Sequence, residues 1–220
     1  MPVRNEAKTL ATSLSRLKLS HNEELVVVDG ESTDETVSIA RGFTDKVFTT
    51  GTGRASVMNY GAGKANGDIL LFLHSDCILP DKGFSMIRGV ISDPGVAAGA
   101  FFLRIADPKL RFRIIESLTN VRARATYLLY GDQGMFLRKE VFQRIGGFAD
   151  IPLMEDIEIS RRLRKEGRVV FIRPPIISSP RRWLNEGVIH TTLRDWLIAF
   201  SYTFLNVSPH RLIKYYRDVR

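Results

Sequence analysis

Residues 24–35 read ELVVVDGESTDE, and this stretch decides the fold. Leu25 to Val28 form an apolar run, rich in valine, with no polar alternation, as in a strand buried on both faces. The run stops at Asp29-Gly30. Ser32 and Glu35 then stand at the spacing of a capping box, which opens a helix. A buried strand feeding straight into a helix is the first half of a βαβ unit.

The same alternation extends outward. Upstream, Asn5 is placed to cap a helix with Leu10, Leu14 and Leu17 on one face. Downstream, KVFTT (46–50) reads as a strand, a helix begins near Arg54, and ILLFLHSD (69–76) reads as an apolar central strand. Strands alternating with helices imply a parallel three-layer α/β sheet. In the second half, AAGAFFLRI (97–105) reads as a strand and 109–130 as a long basic helix. GDQGMFLR (131–138) reads as a loop and strand. LMEDIEISRRLRKEGR puts Glu155 and Asp156 at a helix start, with Ile159 and Leu163 buried. VVFI precedes a Pro-Pro break, and a helical region runs from about 185 to 216. There is no internal repeat or low-complexity linker, so one domain over 1–183 with a helical tail over 184–220 is expected.

The 220 residues are 44% hydrophobic and 25% charged, which excludes a disordered, collagen-like or disulfide-scaffold chain. A lone cysteine, Cys77, fits a reducing cytosol. The opening MPVRNEAKTL has no signal-peptide pattern, and no apolar run reaches the roughly 18 residues of a membrane span. A cytoplasmic protein is expected. Residues 1–110 carry 12 Lys and Arg against 13 Asp and Glu, so the net excess of +8 lies in the second half. Such a half suits anionic partners, or simply solvated helix faces.

Chemistry is expected where elements end. Asp29 and Asp76 close two strands, and ligands of open α/β sheets bind beyond the carboxyl ends of strands. Each acid equally suits the capping of its own turn. Asp76 is a plausible ligand for Mg²⁺, which needs one or two carboxylates plus substrate phosphates. His74 shares its face and suits Mn²⁺ coordination, a ribose contact or a structural role. Gly51, Gly53, Gly61, Gly63 and Gly67 match neither GxGxxG nor GxxxxGK[ST] and read as turns and close packing. Arg54, at the positive end of a helix, is placed either for a ligand or for solvent.

PVRNEAKTL, VVVDGESTDET, GRASVMNYGAGKANGDILLFLHSDCILP, GDQGMF and PLMEDIEISRRLRKEGR, in that order, resemble the motifs of family 2 glycosyltransferases over residues 2–183. They most resemble the subgroup labelled arsenosugar-biosynthesis glycosyltransferases. The resemblance implies a GT-A fold: an α/β, Rossmann-like, mostly parallel three-layer sheet with an antiparallel component and a C-terminal helical tail. It implies inverting transfer of a sugar from a UDP- or GDP-linked donor to a hydroxyl acceptor, which a lipid can carry. Asp156 would be the base, with Glu155 beside it in the ED motif. Asp29 would contact the nucleotide base and Arg54 would lie next to it. HSD falls at the DxD position, so Asp76 would hold Mg²⁺ or Mn²⁺ and His74 would stand in for the first acid. Gly131, Asp132 and Gln133 would floor the donor pocket. Arg181-Arg182-Trp183 resembles part of QxxRW, but Ser179 replaces the glutamine, so a polymerising enzyme is not implied. Such relatives carry a complete first strand before P-x-x-N-E, whereas this sequence opens at Met1-Pro2-Val3.

Two other classes stand beside this reading: a nucleotidyltransferase, and a non-catalytic binder of anionic ligands or membrane. No nucleic-acid partner is expected, because no RRM, KH or zinc-finger motif appears. Leu193, Trp196, Leu197, Phe200 and Phe204 recur at helical spacing ahead of Arg211, Lys214, Arg217 and Arg220. That pattern suits a peripheral contact with the inner face of the membrane, or a homodimer.

Overall fold

The computed structural model describes residues 1–51 and 53–216. Pro2–Val3 (β1), Val27–Asp29 (β2) and Val47–Thr49 (β3) form a parallel three-stranded sheet with β2 in the middle. Ala7–Ser15 (α1) and Thr36–Arg41 (α2) cover it, burying Leu10, Leu14 and Ala40 against Val3 and Val27. Ile69–Phe72 (β4), Cys77–Ile78 (β5), Val96–Ile105 (β6), Met135–Arg138 (β7) and Arg168–Ser178 (β8) form a second sheet in the order β4-β7-β6-β8-β5. There β6 and β8 pair in parallel, and the other pairs are antiparallel.

The two-residue period of a strand sorts this second sheet into faces. Leu70, Phe72, Ala98, Ala100 and Leu137 meet Arg54–Lys64 (α3), Lys139–Arg144 (α6) and Glu155–Glu166 (α7). Phe101, Leu103, Ile105 and Phe136 meet Gly83–Ile91 (α4) and Leu110–Thr126 (α5). The three layers follow from that alternation. Arg181–Glu186 (α8), Val188–Leu205 (α9) and Pro209–Leu212 (α10) follow β8, and position 183 lies within α8. Arg217 and Arg220 lie outside the described residues.

α3 belongs to both sheets. Its Ala55, Met58 and Ala62 pack on the five-stranded sheet, while Val57 packs on Val26 and Val28. Gly61 lets it approach β2, since a Cβ there would lie 3.0 Å from Val28 Cγ2. Among the described residues, no strand is hydrogen-bonded to both sheets.

Several local expectations are corrected. The segment expected as a central strand is strand only over 69–72, and β4 stands at the edge of its sheet. Ser32 does not cap α2: its amide (3.0 Å) and hydroxyl donate to the Asp29 carboxylate, its hydroxyl oxygen accepts the Asn5 amide at 2.8 Å, and α2 starts at Thr36. Asn5 does not cap α1. Its side-chain oxygen accepts the Thr33 amide at 2.9 Å, while the Glu6 and Ala7 amides donate to Thr36 and Asp34. Pro174-Pro175 does not break the strand. Registry jumps from Phe101–Ile172 to Leu103–Ile176, so the prolines sit in a bulge that needs no ladder donor. The long helix stops at Thr126, where Tyr127 turns left-handed at φ 53°.

Gly99 makes β6 packable, because the Phe136 ring of the adjoining strand lies across it. A Cβ at position 99 would come within 2.4 Å of Phe136 Cζ and 3.0 Å of Val170 Cγ2. Phe136 is fully buried and has nowhere to go. Gly99→Ala is expected to lower unfolding free energy by about 1–3 kcal/mol, read from urea denaturation midpoints.

Candidate active site

A cavity of about 250 Å³ opens where the N-terminal segment, the turn after β4, the Gly131 loop and the C-terminal helices meet. Asp156 forms part of its wall. Ile157, Ile159 and Leu163 are fully buried and fix α7 in the core. Met154 enters the helix left-handed at φ 68°, a costly conformation for a residue with a side chain, and so turns Glu155-Asp156 at the helix start. The Asp156 carboxylate accepts the Gly131 amide at 3.0 Å and its neighbour Ile157's amide at 2.8 Å. Gly131 has no room for a side chain: a Cβ there would lie 2.8 Å from His74 Cε1. His74, Gly131 and Asp156 are therefore packed into one wall.

The electrostatics of Asp156 differ from what a helix start alone implies. A helix dipole lowers a carboxylate's pKa and weakens it as a base. Here burial, and then the negative charge of Glu155, push it well up, against the Gly131 amide and Arg54. Glu155 was expected to share in the chemistry, but it is 2% exposed and does not line the cavity. It pairs instead with Arg54, whose Nη1 lies 3.3 Å from Glu155 Oε1. Burial opposes charge on Arg54, but Glu155, Tyr216 and Asp156 outweigh it and hold the guanidinium firmly protonated.

Asp76 and Asp132 form a second acidic wall. Burial raises Asp76, and Glu6 adds to that while Arg181 pulls it down. Asp132 is pushed up to about 6, by burial first and then by Asp76, against Arg122 and Arg182. Among the described residues, no three His, Cys, Asp or Glu side chains gather as a metal cage. Two half-buried acids, of which Asp76 raises Asp132, still fit a divalent cation that takes its remaining ligands from water and phosphate.

Asp29 and Gln133 are placed elsewhere. Asp29 is buried and engaged with Ser32, and does not line the cavity with Asp76. Gln133 is fully buried, its side-chain oxygen accepting the Tyr130 amide at 3.2 Å, so it shapes the loop from beneath.

Other cavity residues escaped the sequence reading. Glu6 takes a two-pronged ion pair from Arg181 at 2.8 and 3.0 Å, across 175 positions. Arg122 stacks on Tyr130 (4.3 Å) and Trp196 (5.6 Å). Tyr216 accepts a hydrogen bond from Arg182 at 2.8 Å and closes the cavity from the C-terminal side. The Arg-Arg-Trp triplet marked this region, but nothing local in sequence names the partners.

Residues 1–149 match the model of Glycosyl transferase family 2. A probable glycosyltransferase of Bacillus subtilis (strain 168), YdaM, is 25% identical over 189 residues, covering 73% of this chain and 44% of its own. The chain thus spans less than half the length of that curated relative. Among solved structures, the mannosyltransferase PcManGT from Pyrobaculum calidifontis, in complex with GDP-Man and Mn²⁺, aligns with a TM-score of 0.67 at 20% identity. That alignment covers 100% of this chain and 64% of the other. S. aureus TarS 1-349 in complex with UDP-GlcNAc aligns at 0.65 and 16% identity, covering 97% and 68%. These likenesses show the fold, an α/β GT-A-like architecture with mixed sheets.

The raised Asp132 has a consequence for stability. A carboxyl whose folded pKa exceeds its ordinary 3.8 contributes stability that is present below that value and is lost as pH rises through about 6. Asp132→Asn mimics the protonated form. In chelator-containing buffer it should match the parent near about pH 4 and melt higher at about pH 8, by roughly 2 kcal/mol of stability. Equal melting temperatures at both pH values would place Asp132 in a solvated setting.

Proposed function

The chain belongs to glycosyl transferase family 2, and from that membership we propose that it is an inverting glycosyltransferase acting on a nucleotide-sugar donor and a hydroxyl acceptor. The observation that carries the reading is Asp156, a carboxylate made more basic by its surroundings and fixed by the Gly131 amide at a cavity wall. In this role it takes the proton of the acceptor hydroxyl as that oxygen attacks the anomeric carbon. The bond to the diphosphate breaks on the opposite face, and the nucleoside diphosphate leaves with the electron pair. Raising the base toward the working pH improves proton transfer without abolishing the ionised form.

Asp76 would hold Mg²⁺ or Mn²⁺, with Asp132 close enough to feel the same charge, and the cation would supply positive charge to the leaving diphosphate. Arg54 pairs with Glu155, and its positive charge offsets part of the push that Glu155 exerts on Asp156. His74 packs against the Gly131 backbone and sets how far that loop advances. Thr192, Asp195, Trp196 and Tyr216 line the cavity, so we read the helical tail over its described part, 184–216, as the acceptor-side wall. A UDP- or GDP-linked donor and a place in the arsenosugar-biosynthesis subgroup remain supported by the sequence motifs.

Asp76→Ala is expected to abolish metal-dependent binding of UDP or GDP in calorimetry, and an unchanged affinity would remove Asp76 from the donor site. Asp156→Asn should leave donor affinity intact while lowering turnover by roughly 10²-fold or more. Loss of both together would make Asp156 a structural residue. Because the base works only when ionised, kcat/KM should fall with decreasing pH at a midpoint well above the ordinary carboxylate value of 3.8. A limb at that ordinary value would assign the proton to another group.

A further inference from the structure

α5 and α9 meet across the cavity, where the Arg122 guanidinium stacks on Trp196. Each helix also carries a second face. On α5 Leu110, Ile114, Leu118 and Val121 recur every three to four residues, and on α9 so do Ile189, Leu193, Leu197, Phe200 and Phe204. All nine are between 47% and 76% exposed. Single exposed apolar residues are ordinary, but a row of four on one helix and a row of five on another are stripes of the kind that marks an interaction surface. At about 100° per residue, each row lies a quarter-turn or more from the cavity-lining positions of its own helix.

The charges identify the occupant. The one acid of α5, Glu116, is buried, accepting the Ile105 amide and pairing with Arg113. The one acid of α9, Asp195, is held by Arg182 and Arg194. Neither helix exposes a carboxylate, whereas Arg111 and Arg124 on α5, and Arg211 and Lys214 beyond α9, are exposed. A second copy docking through this face would set arginine against arginine, with no exposed acid on either helix to answer it. An apolar surface rimmed by one sign of charge instead matches acyl chains beneath anionic headgroups.

We infer that α5 and α9 form a docking face for an anionic lipid bilayer, laid beside the cavity. Vesicle binding needs neither donor nor acceptor, so this inference stands or falls independently of the transferase reading. The test is flotation of the full chain with vesicles of phosphatidylcholine and phosphatidylglycerol in equal parts, against vesicles of phosphatidylcholine alone. Flotation with the anionic vesicles is expected, together with its loss in high salt. Leu197→Ser with Phe200→Ser, and separately Leu118→Ser with Val121→Ser, should each abolish it at an unchanged melting temperature. If either apolar pair unfolds the protein, Arg111→Gln and Arg124→Gln serve instead, each weakening binding by about fivefold. Absence of flotation with anionic vesicles, or flotation that survives all of these substitutions, overturns the inference. So does a concentration-dependent dimer in sedimentation that the apolar pairs dissolve, which would give the face to a second copy.

Discussion

The packing of α3 against two sheets at once is the constraint on which the rest depends. With no described strand hydrogen-bonded to both sheets, their relation is carried by side chains. α3 supplies small ones where it must come close, Ala55, Gly61 and Ala62, and larger ones, Val57 and Met58, where it must fill space. The same helix begins with Arg54, so the element that aligns the sheets also delivers the cation that neutralises Glu155. Asn59, one turn on, exchanges two hydrogen bonds with the Phe148 backbone and ties the helix to the segment leading into α7. Architecture and electrostatics share one helix.

The cavity is a balance of opposed charges. Glu6 answers Arg181, Glu155 answers Arg54, and Asp195 answers Arg182. Arg122 stacks on Tyr130 and Trp196, and its charge also bears on Asp132. Asp76, Asp132 and Asp156 are left carrying the cost of burial, and all three are shifted in the same direction. Surplus acid at the turn after β4 and at the α7 start, with paired arginine around it, is an arrangement suited to a ligand with its own positive charge or exchangeable protons.

Much of the fold was legible because its signals are local. The valine run before Asp29 became β2, and the apolar spacing after Asp156 became the buried face of α7. What misleads is competition between donors for one oxygen. Ser32 has the right spacing for a cap, but the Asn5 amide, 27 positions away, takes its hydroxyl oxygen, and no local spacing rule includes that partner. The Pro-Pro pair reads as a stop in sequence, but its effect depends on the partner strand, where a jump in registry opens a bulge. Asp156 was legible as a position and not as a base. Its strength depends on Glu155, Arg54 and Gly131, and the last two come from distant parts of the chain. The Glu6–Arg181 pair lay beyond reach for the same reason.

The cavity wall is built from both sides of the α3 junction. Pro2 comes from β1, Arg4 and Glu6 from the segment between β1 and α1, and Asp76, Asp132 and Asp156 from the larger body. Small sheets with few partners are where native proteins open locally, and such openings are seen as fast amide exchange. A molecule that touches both walls must be released before the smaller sheet can separate. Its occupancy therefore adds to the free energy of that opening by the logarithm of ligand concentration over dissociation constant. Amides of β1 and β2 thus become reporters of what fills the cavity, even for a compound that is never turned over.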